Sequence, residues 1–364
     1  MTATPATSNI FGATAAYERW MRRHVSVIAP DLKLKHQKMA EAAFPFLRAT
    51  FYRWAAVWPE ACPDLAKAPK VLAVGDLHVE NFGTWRDLEG RLIWGINDFD
   101  EAFPMPYAND LLRLATSALL AIRERALIVS PSVACAAILS GYSKCIGDGE
   151  RKPFILEEDH PTLRAMAMGA ERDPSRFWEK LTNLRTIRAP DKVGNLLRKE
   201  LANIDQKSIR FVHRIAGLGS LGRERFAILA RFGGGLISRE AKAALPSAQS
   251  WAMGAASGSY HKEILKGLIQ IPDPSLKIGK EWVVRRLSPH CSRIELADLP
   301  NQRDERKLLN AMGHELATFH LGTSSAVTAI RNDLKRRGED WLNGNAAKMA
   351  DVTIEEWNKW RDKT

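Results

Sequence analysis

VLAVGDLHVENFGTWRDLEGRLIWGINDFDEAFPMPYANDLLRL, residues 71–114, sets the frame for the rest of the chain. It opens on a short apolar run, Val71-Leu72-Ala73-Val74, that predicts a buried strand. Gly75 ends the run, and Asp76, His78, Glu80 and Asn81 follow at once. A second apolar run, residues 92–96, then delivers Asn97, Asp98, Asp100 and Glu101. Two strands that each end in carboxylates predict a hairpin-like unit with acidic groups along one edge. Burying carboxylates costs several kcal/mol each, on the order given by transfer data, unless cations or hydrogen bonds compensate. The pattern therefore points to a metal-binding or catalytic edge.

Spacing narrows this. Asp76 and Asn81 stand five apart, and Asp98 opens the triplet Asp98-Phe99-Asp100. In kinases a loop Asp accepts the substrate proton, an Asn further along binds Mg²⁺, and the Asp of a following Asp-Phe-Gly triplet holds the metal. The block from Gly75 to Asn81 resembles the catalytic loop of aminoglycoside phosphotransferases and choline kinases, which share the protein-kinase fold. Asp110-Leu111 resembles the Asp-Leu that begins a buried helix in those enzymes and braces the loop. The resemblance implies Asp76 as the catalytic base with His78 supporting the loop, and Asn81 and Asp98 as Mg²⁺ ligands. Two positions depart from the pattern: Val74 stands where His is frequent, and Asp100 replaces the triplet's glycine, where it could add a metal ligand.

A chain of 364 residues can bury a sizeable core as one large domain or two ordinary ones. Its net charge of +11 suits an anionic ligand such as a nucleotide. Lys and Arg are spread out, the densest run being Lys335-Arg336-Arg337, which reads as a solvated helix face and argues against nucleic acid. Cys62, Cys135, Cys145 and Cys291 lack metal-ligand spacing. With no apolar run long enough for a bilayer and no signal-peptide pattern, the expectation is a cytoplasmic protein without membrane contact. Oligomeric state is not legible.

Outward from the central stretch, residues 1–10 read as a loose tail. Met39, Phe46, Leu47, Phe51 and Trp54 then recur at helical intervals, interrupted by Pro45. Residues 111–120 predict a strong helix capped by Asn109 or Asp110, and residues 132–142, 175–184 and 193–204 predict others. No strand of comparable quality stands between about 105 and 205. The pattern then changes. Residues 208–215, 225–232 and 236–242 alternate as strands, and 281–287 reads as a further strand fit to line a nucleotide pocket. Between the first two lies Gly217-Leu218-Gly219-Ser220-Leu221-Gly222. A lone G-x-G-x-x-G is weak evidence, but here it joins two strands, which argues against a dinucleotide fingerprint and for a loop over ATP phosphates. Gly217, Gly219, Ser220 and Gly222 are thus the expected phosphate cradle. Lys242, on the third strand, stands where kinases keep the lysine that contacts the phosphates. Glu263, in an expected helix over 260–268, and the nearer Glu240 compete as its partner. Leu308, Leu309, Met312, Leu316 and Phe319 form one helical stripe ending at His320, and Thr353–Glu356 reads as a capping box for a final helix.

The kinase motifs occur in reversed order, the acidic loops preceding the glycine loop and lysine. Residues 316–320, LATFH, are similar to the Leu-Ala-x-x-His that ends the helix before the phosphotransferase catalytic loop. The expectation is an α+β, protein-kinase-like, two-lobed fold in circularly permuted order. Residues 1–205 would form N-terminal helices and a helical large lobe, 206–300 an antiparallel-sheet small lobe, and 301–364 helices returning to the large lobe. The chain is also similar, over residues 38–320, to a bacterial domain-of-unknown-function family that carries a Gly-Asp-x-His-x-x-Asn-Phe-Gly block, then Asn-Asp-Phe-Asp-Glu, then a glycine loop and lysine. Together these imply an ATP- and Mg²⁺-dependent phosphotransferase acting on a hydroxyl of an unidentified small molecule. Three alternatives stay open: a binuclear metallophosphoesterase, because Gly75-Asp76-x-His78 after a strand also fits its first metal motif; a non-catalytic nucleotide-binding regulator; and an adenylyl transferase.

Overall fold

The computed structural model describes residues 9–168, 173–255, 260, 262–263, 266, 271–291, 293–300 and 303–363. It mixes α-helices with small antiparallel sheets. Among the described residues, no helix is long and apolar enough to cross a membrane.

Short-range chemistry starts the helices. Asn9 caps Ile10–Arg22 by accepting from the Gly12 N–H at 3.0 Å. Ser130 caps Pro131–Asp148, with Pro131 in the first turn and Gly149 closing the far end at φ +71°. Asp304 caps Glu305–His320 through the Lys307 N–H at 2.9 Å. The last two helices cross at glycines. A Cβ on Gly141 would collide with the Asn310 carbonyl, and one on Gly313 with that of Ile138. This close approach fixes where His320, at the end of its helix, arrives.

The main core joins these helices to Phe51–Ala61, Tyr107–Arg123 and Trp341–Arg361. Against it lie two small strand groups. Strand β1 (Lys70–Ala73) pairs with β4 (Phe103–Pro106), Val71 opposite Met105. Strand β2 (Phe82–Arg86) pairs with β3 (Leu92–Ile96), and β3 with β5 (Phe154–Ile155). The two apolar runs of the central stretch therefore do not form one hairpin with each other. Residues 82–86 compete for β3 through a far shorter loop, where Asp87 accepts from the Arg91 N–H at 2.8 Å and Gly90 takes φ +79°. Both acidic ends still emerge together. The Asn97 N–H donates to the Asn81 carbonyl at 2.9 Å.

The remaining strands are β6 (Thr186–Ile187), β7 (Arg210–His213), β8 (Arg225–Phe232), β9 (Gly235–Ala243), β10 (Lys277–Ile278) and β11 (Trp282–Leu287). They form one antiparallel sheet in the order β10-β11-β9-β8-β7-β6. Alternate residues face opposite ways. Phe211, Ile228, Ala241 and Val284 pack on Val193 and Leu197 of the helix Asp191–Lys199. Val212, Ala227, Leu229 and Leu287 pack on Leu181 and Phe177 of Pro174–Thr182. The sheet thus draws in chain from before residue 206. The short strands β5 and β6, two residues each, break the otherwise helical block and are too brief to show periodicity.

Three further expectations need correction. Neither Asn109 nor Asp110 caps the helix Tyr107–Arg123: both lie inside its first turn, and Pro106 precedes it without a side-chain cap. Thr353 caps nothing, because Trp341–Arg361 runs through it and its hydroxyl donates back to the Met349 carbonyl at 2.7 Å. Pro45 does not interrupt a helix but sits in Ala43–Ala49, the breaks falling at Ala42 and Thr50. Of the expected tail over 1–10, residues 1–8 lie outside the described residues, as does most of the expected helix over 260–268, whereas Asn9 and Ile10 are not tail but the cap and first residue of a helix.

Candidate functional site

Gly75 closes β1 with φ +86°, and a side chain there would meet the Glu101 carbonyl. The turn it permits is held from below. Asp110 is fully buried and accepts from the Val74 N–H at 2.7 Å and the Gly75 N–H at 3.0 Å. His320 Nε2 lies 3.1 Å from Asp110, and its Nδ1 lies 2.8 Å from the Tyr142 hydroxyl. A helix late in the chain thus supports a loop near its beginning.

Above this brace stands Asp76. Arg113 Nε donates to its Oδ1 at 2.9 Å, and Arg113 Nη2 reaches the same oxygen. Arg113 is wholly buried under the rings of Phe51 and Trp54 and also donates to the Leu47 carbonyl at 2.8 Å. Burial raises the Asp76 pKa above the usual carboxylate value, against the pull of Arg113. His78 is buried, and its pKa is pushed well below the usual histidine value by burial first, then by Arg48, Arg113 and Arg293. It is therefore neutral. Its Nδ1 accepts from the Glu80 N–H at 3.2 Å, which leaves the proton on Nε2. Glu80 pairs with Arg48.

Asn81 staples the two acidic loops. Its Nδ2 donates to the carbonyls of Asp76 at 3.1 Å and Asp98 at 3.0 Å, and its Oδ1 accepts from the Asp98 N–H at 3.0 Å. One lone pair of Oδ1 remains. Asp98 caps its own turn by accepting from the Asp100 N–H at 3.2 Å. Lys242, almost fully buried on β9, crosses from the sheet to both aspartates, at 3.1 Å from Asp98 and 2.7 Å from Asp100. Arg223 also reaches Asp100 at 3.1 Å.

Neither glutamate considered as a partner for Lys242 serves it. Glu263 is exposed. Glu240 is fully buried and binds three arginines: Arg214 at 2.5 Å, Arg225 at 2.7 Å and Arg285 at 3.1 Å. Burial alone would raise its pKa, but Arg225, Arg214 and Arg285 outweigh it and hold the carboxyl well below the usual range. Arg225 passes the order on, donating to Ser220 Oγ at 2.6 Å, which donates to the Gly217 carbonyl at 2.9 Å. Gly217, at φ +73°, opens the turn between β7 and β8. A Cβ on Gly219 would stand 3.5 Å from Asp76 Oδ2 and 3.0 Å from the Arg48 carbonyl, so the glycine segment lies directly over Asp76. Gly222 stands back against Leu32.

From outside, N-terminal residues hold this segment. The Ile28 N–H donates to the Gly222 carbonyl at 2.9 Å, Val27 bridges Arg223, and Lys35 Nζ donates to the Gly219 carbonyl at 2.9 Å. The result is a cavity of about 440 Å³ between helical body and sheet. Asp76, His78, Asn81, Asp98, Asp100, Gly217, Gly219 and Ser220 all line it. Its volume lies within the range of small-molecule sites.

Residues 28–183 match one family model. Its description is "Uncharacterized protein conserved in bacteria (DUF2252)". The matched stretch carries both acidic loops with Arg48, Asp110 and Arg113, and ends before the glycine segment and Lys242. No curated protein and no solved structure matches the chain.

Arg113, Arg223 and Lys35 were not singled out by motif reading. Arg113 had a visible signal, a cation inside the apolar run Leu111-Leu112-Arg113-Leu114 and three residues from Asp110. Arg223 directly follows the glycine segment, a cation one residue past Gly222, whereas Lys35 had no signal, because only tertiary structure carries it to the cavity.

Proposed function

We propose that this protein is an ATP- and Mg²⁺-dependent phosphotransferase acting on a hydroxyl group of a small molecule. One observation carries the reading. Lys242 and Asp98, 144 residues apart, meet at 3.1 Å, and Asp98 lines a cavity together with Asp76 and the glycine segment, Lys242 standing just behind it. In this reading the fold is that of protein kinases in permuted order. Supporting it, β7 and β8 are joined by the glycine segment, Lys242 lies on the neighbouring β9, and the helix ending at His320 braces the Asp76 loop.

The donors suit Mg²⁺. Its sites use one or two carboxylates completed by substrate phosphates and water, not an all-protein cage. Asp98, with a side chain 45% exposed, the remaining Asn81 lone pair and Asp100 would hold it. When bound, Mg²⁺ neutralises charge on the transferring phosphoryl group. In this reading Lys242 pairs with nucleotide phosphates once it releases the aspartates, and the backbone of 217–220 covers them. Asp76 takes the proton that the acceptor hydroxyl loses. Its raised pKa brings it closer to a working base, and Arg113 fixes its orientation. Neutral His78 keeps the loop's shape.

The test is a thermal-shift screen of nucleotides with and without Mg²⁺, followed by ATP labelled at the α- or γ-phosphate and a metabolite pool. Mg²⁺-dependent stabilisation by ATP and transfer of γ-label are expected. Transfer of α-label would replace phosphoryl by adenylyl transfer. Indifference to every nucleotide, with a tightly held transition metal instead, would favour the phosphoesterase.

A further inference from the structure

One end of the cavity is lined by two buried cations that keep hydrogen-bonding capacity to spare. Lys35, on the helix Ala29–Glu41, is 5% exposed and lines the cavity. Among the described residues its one hydrogen bond is to the Gly219 carbonyl, and no carboxylate forms an ion pair with it. The Tyr52 ring lies 5.9 Å from its ammonium. An ammonium has three donors, so two are left over. Burial first, then neighbouring Arg223, press its pKa down to about 8, against the pull of Glu18, Asp76 and Glu101.

Arg223 lines the same wall, 7% exposed. Its Nη2 reaches Asp100, but its Nη1 is buried with no hydrogen-bond partner among the described residues. The acids around them are engaged elsewhere. Asp100 is divided between Arg223 and Lys242, Asp76 is held by Arg113, Glu101 accepts from the Ala248 N–H at 2.6 Å, and Glu18 lies 2.5 Å from His36. Buried donors with no partner are rare in folded proteins, and two cations with spare donors on the lining of one cavity form a receptor for oxygen anions.

The receptor's position says which molecule it meets. Gly219 touches both centres: its carbonyl accepts from Lys35, while its Cα side faces Asp76. Lys35 therefore stands one residue away from the proton-accepting carboxylate. We propose that Lys35 and Arg223 bind an oxyanion, phosphate or carboxylate, carried by the acceptor beside the hydroxyl that faces Asp76. The acceptor is then an anionic small molecule, and this assignment rests on the phosphotransferase reading. The alternative source of the same chemistry is the terminal phosphate of the nucleotide.

Calorimetry of the full chain with inorganic phosphate separates the two, run with and without a saturating, non-hydrolysable ATP analogue and Mg²⁺. Phosphate is expected to bind in both conditions. Lys35→Gln should weaken it by about tenfold or more, and Lys35→Arg, which keeps a cation and a donor for Gly219, should restore most of the loss. Arg223→Lys, which keeps a partner for Asp100, should also weaken phosphate. The proposal is overturned if wild-type protein ignores phosphate, if Lys35→Gln binds it equally well, or if the ATP analogue displaces it. The last result would give both cations to the nucleotide. If the analogue fails to bind while phosphate binds through Lys35, the oxyanion site stands and the phosphotransferase reading falls.

Discussion

His320 Nε2 lies 3.1 Å from the Asp110 carboxylate, which in turn holds the amides of Val74 and Gly75. The brace is wholly buried, so removing its acceptor strands the two amides along with the side-chain donors of His320 and Asn109. Each stranded group costs about 1–3 kcal/mol. From the two amides alone, Asp110→Ala should therefore lose about 2–6 kcal/mol of stability in urea unfolding. A loss below about 1 kcal/mol, within the range of an ordinary surface change, would mean that the brace is not what holds the loop.

Arg113 and Asp76 give a second case. The guanidinium is buried under two aromatic rings, and Asp76 is its only carboxylate ligand among the described residues. Breaking a buried pair from one side costs about 3–5 kcal/mol, because the other charge is left uncompensated. Arg113→Met should show this penalty, and adding Asp76→Asn to it should recover part of the loss. Additive penalties in that double-mutant cycle would deny the coupling.

Asp98 is the most accessible of the carboxylates expected to hold metal, and its removal disturbs little packing. Asp98→Ala should keep its circular-dichroism spectrum, lose Mg²⁺-dependent stabilisation by ATP, and lose turnover by about a hundredfold or more. Unchanged nucleotide affinity and turnover would refute the metal assignment.

Glu315 supplies a pH dependence away from the cavity. It sits behind β3, where a Cβ on Gly95 would strike its carboxylate, and its hydrogen bond to the Ile96 N–H is long at 3.5 Å. Burial pushes it up to about 7, against the Ile96 N–H and the pull of Arg151. Its folded pKa is thus above the unfolded 4.5, so the native state holds the proton more tightly between those values. Its contribution to stability falls as pH rises from about 4.5 to 7, by up to about 3 kcal/mol. Glu315→Gln should flatten that part of the stability–pH curve and gain relative stability at pH about 8. A mutant curve parallel to wild type would contradict the assignment.

What the sequence showed, and what it hid, follows from range. Gly75, Asp76, Asn81 and Asp98 lie in two short segments, and their spacing alone brings them near one another. The strands β8 and β9 announce themselves by alternation. The partner of Lys242 could not be read this way. Glu240 shares its face of β9, but register sets Arg285 directly opposite Glu240, and the adjacent Arg225 and Arg214 reach the same carboxylate. Lys242 is thereby left to the aspartates. Pairing of β1 with β4 was also hidden, because residues 103–106, Phe-Pro-Met-Pro, carry two prolines and read poorly as a strand. They are tolerated at the edge of a two-stranded ribbon.

The grip of Ile28 and Lys35 on the carbonyls of Gly222 and Gly219 has a kinetic corollary. A glycine-rich turn would ordinarily swing on its own two strands, but this one is tethered at a third place by chain from outside its sheet. Widening the cavity mouth must either shed those tethers or carry the helix Ala29–Glu41 along. Entry and exit of any guest are then timed by the amino-terminal helices, remote from the chemistry as those residues are in sequence.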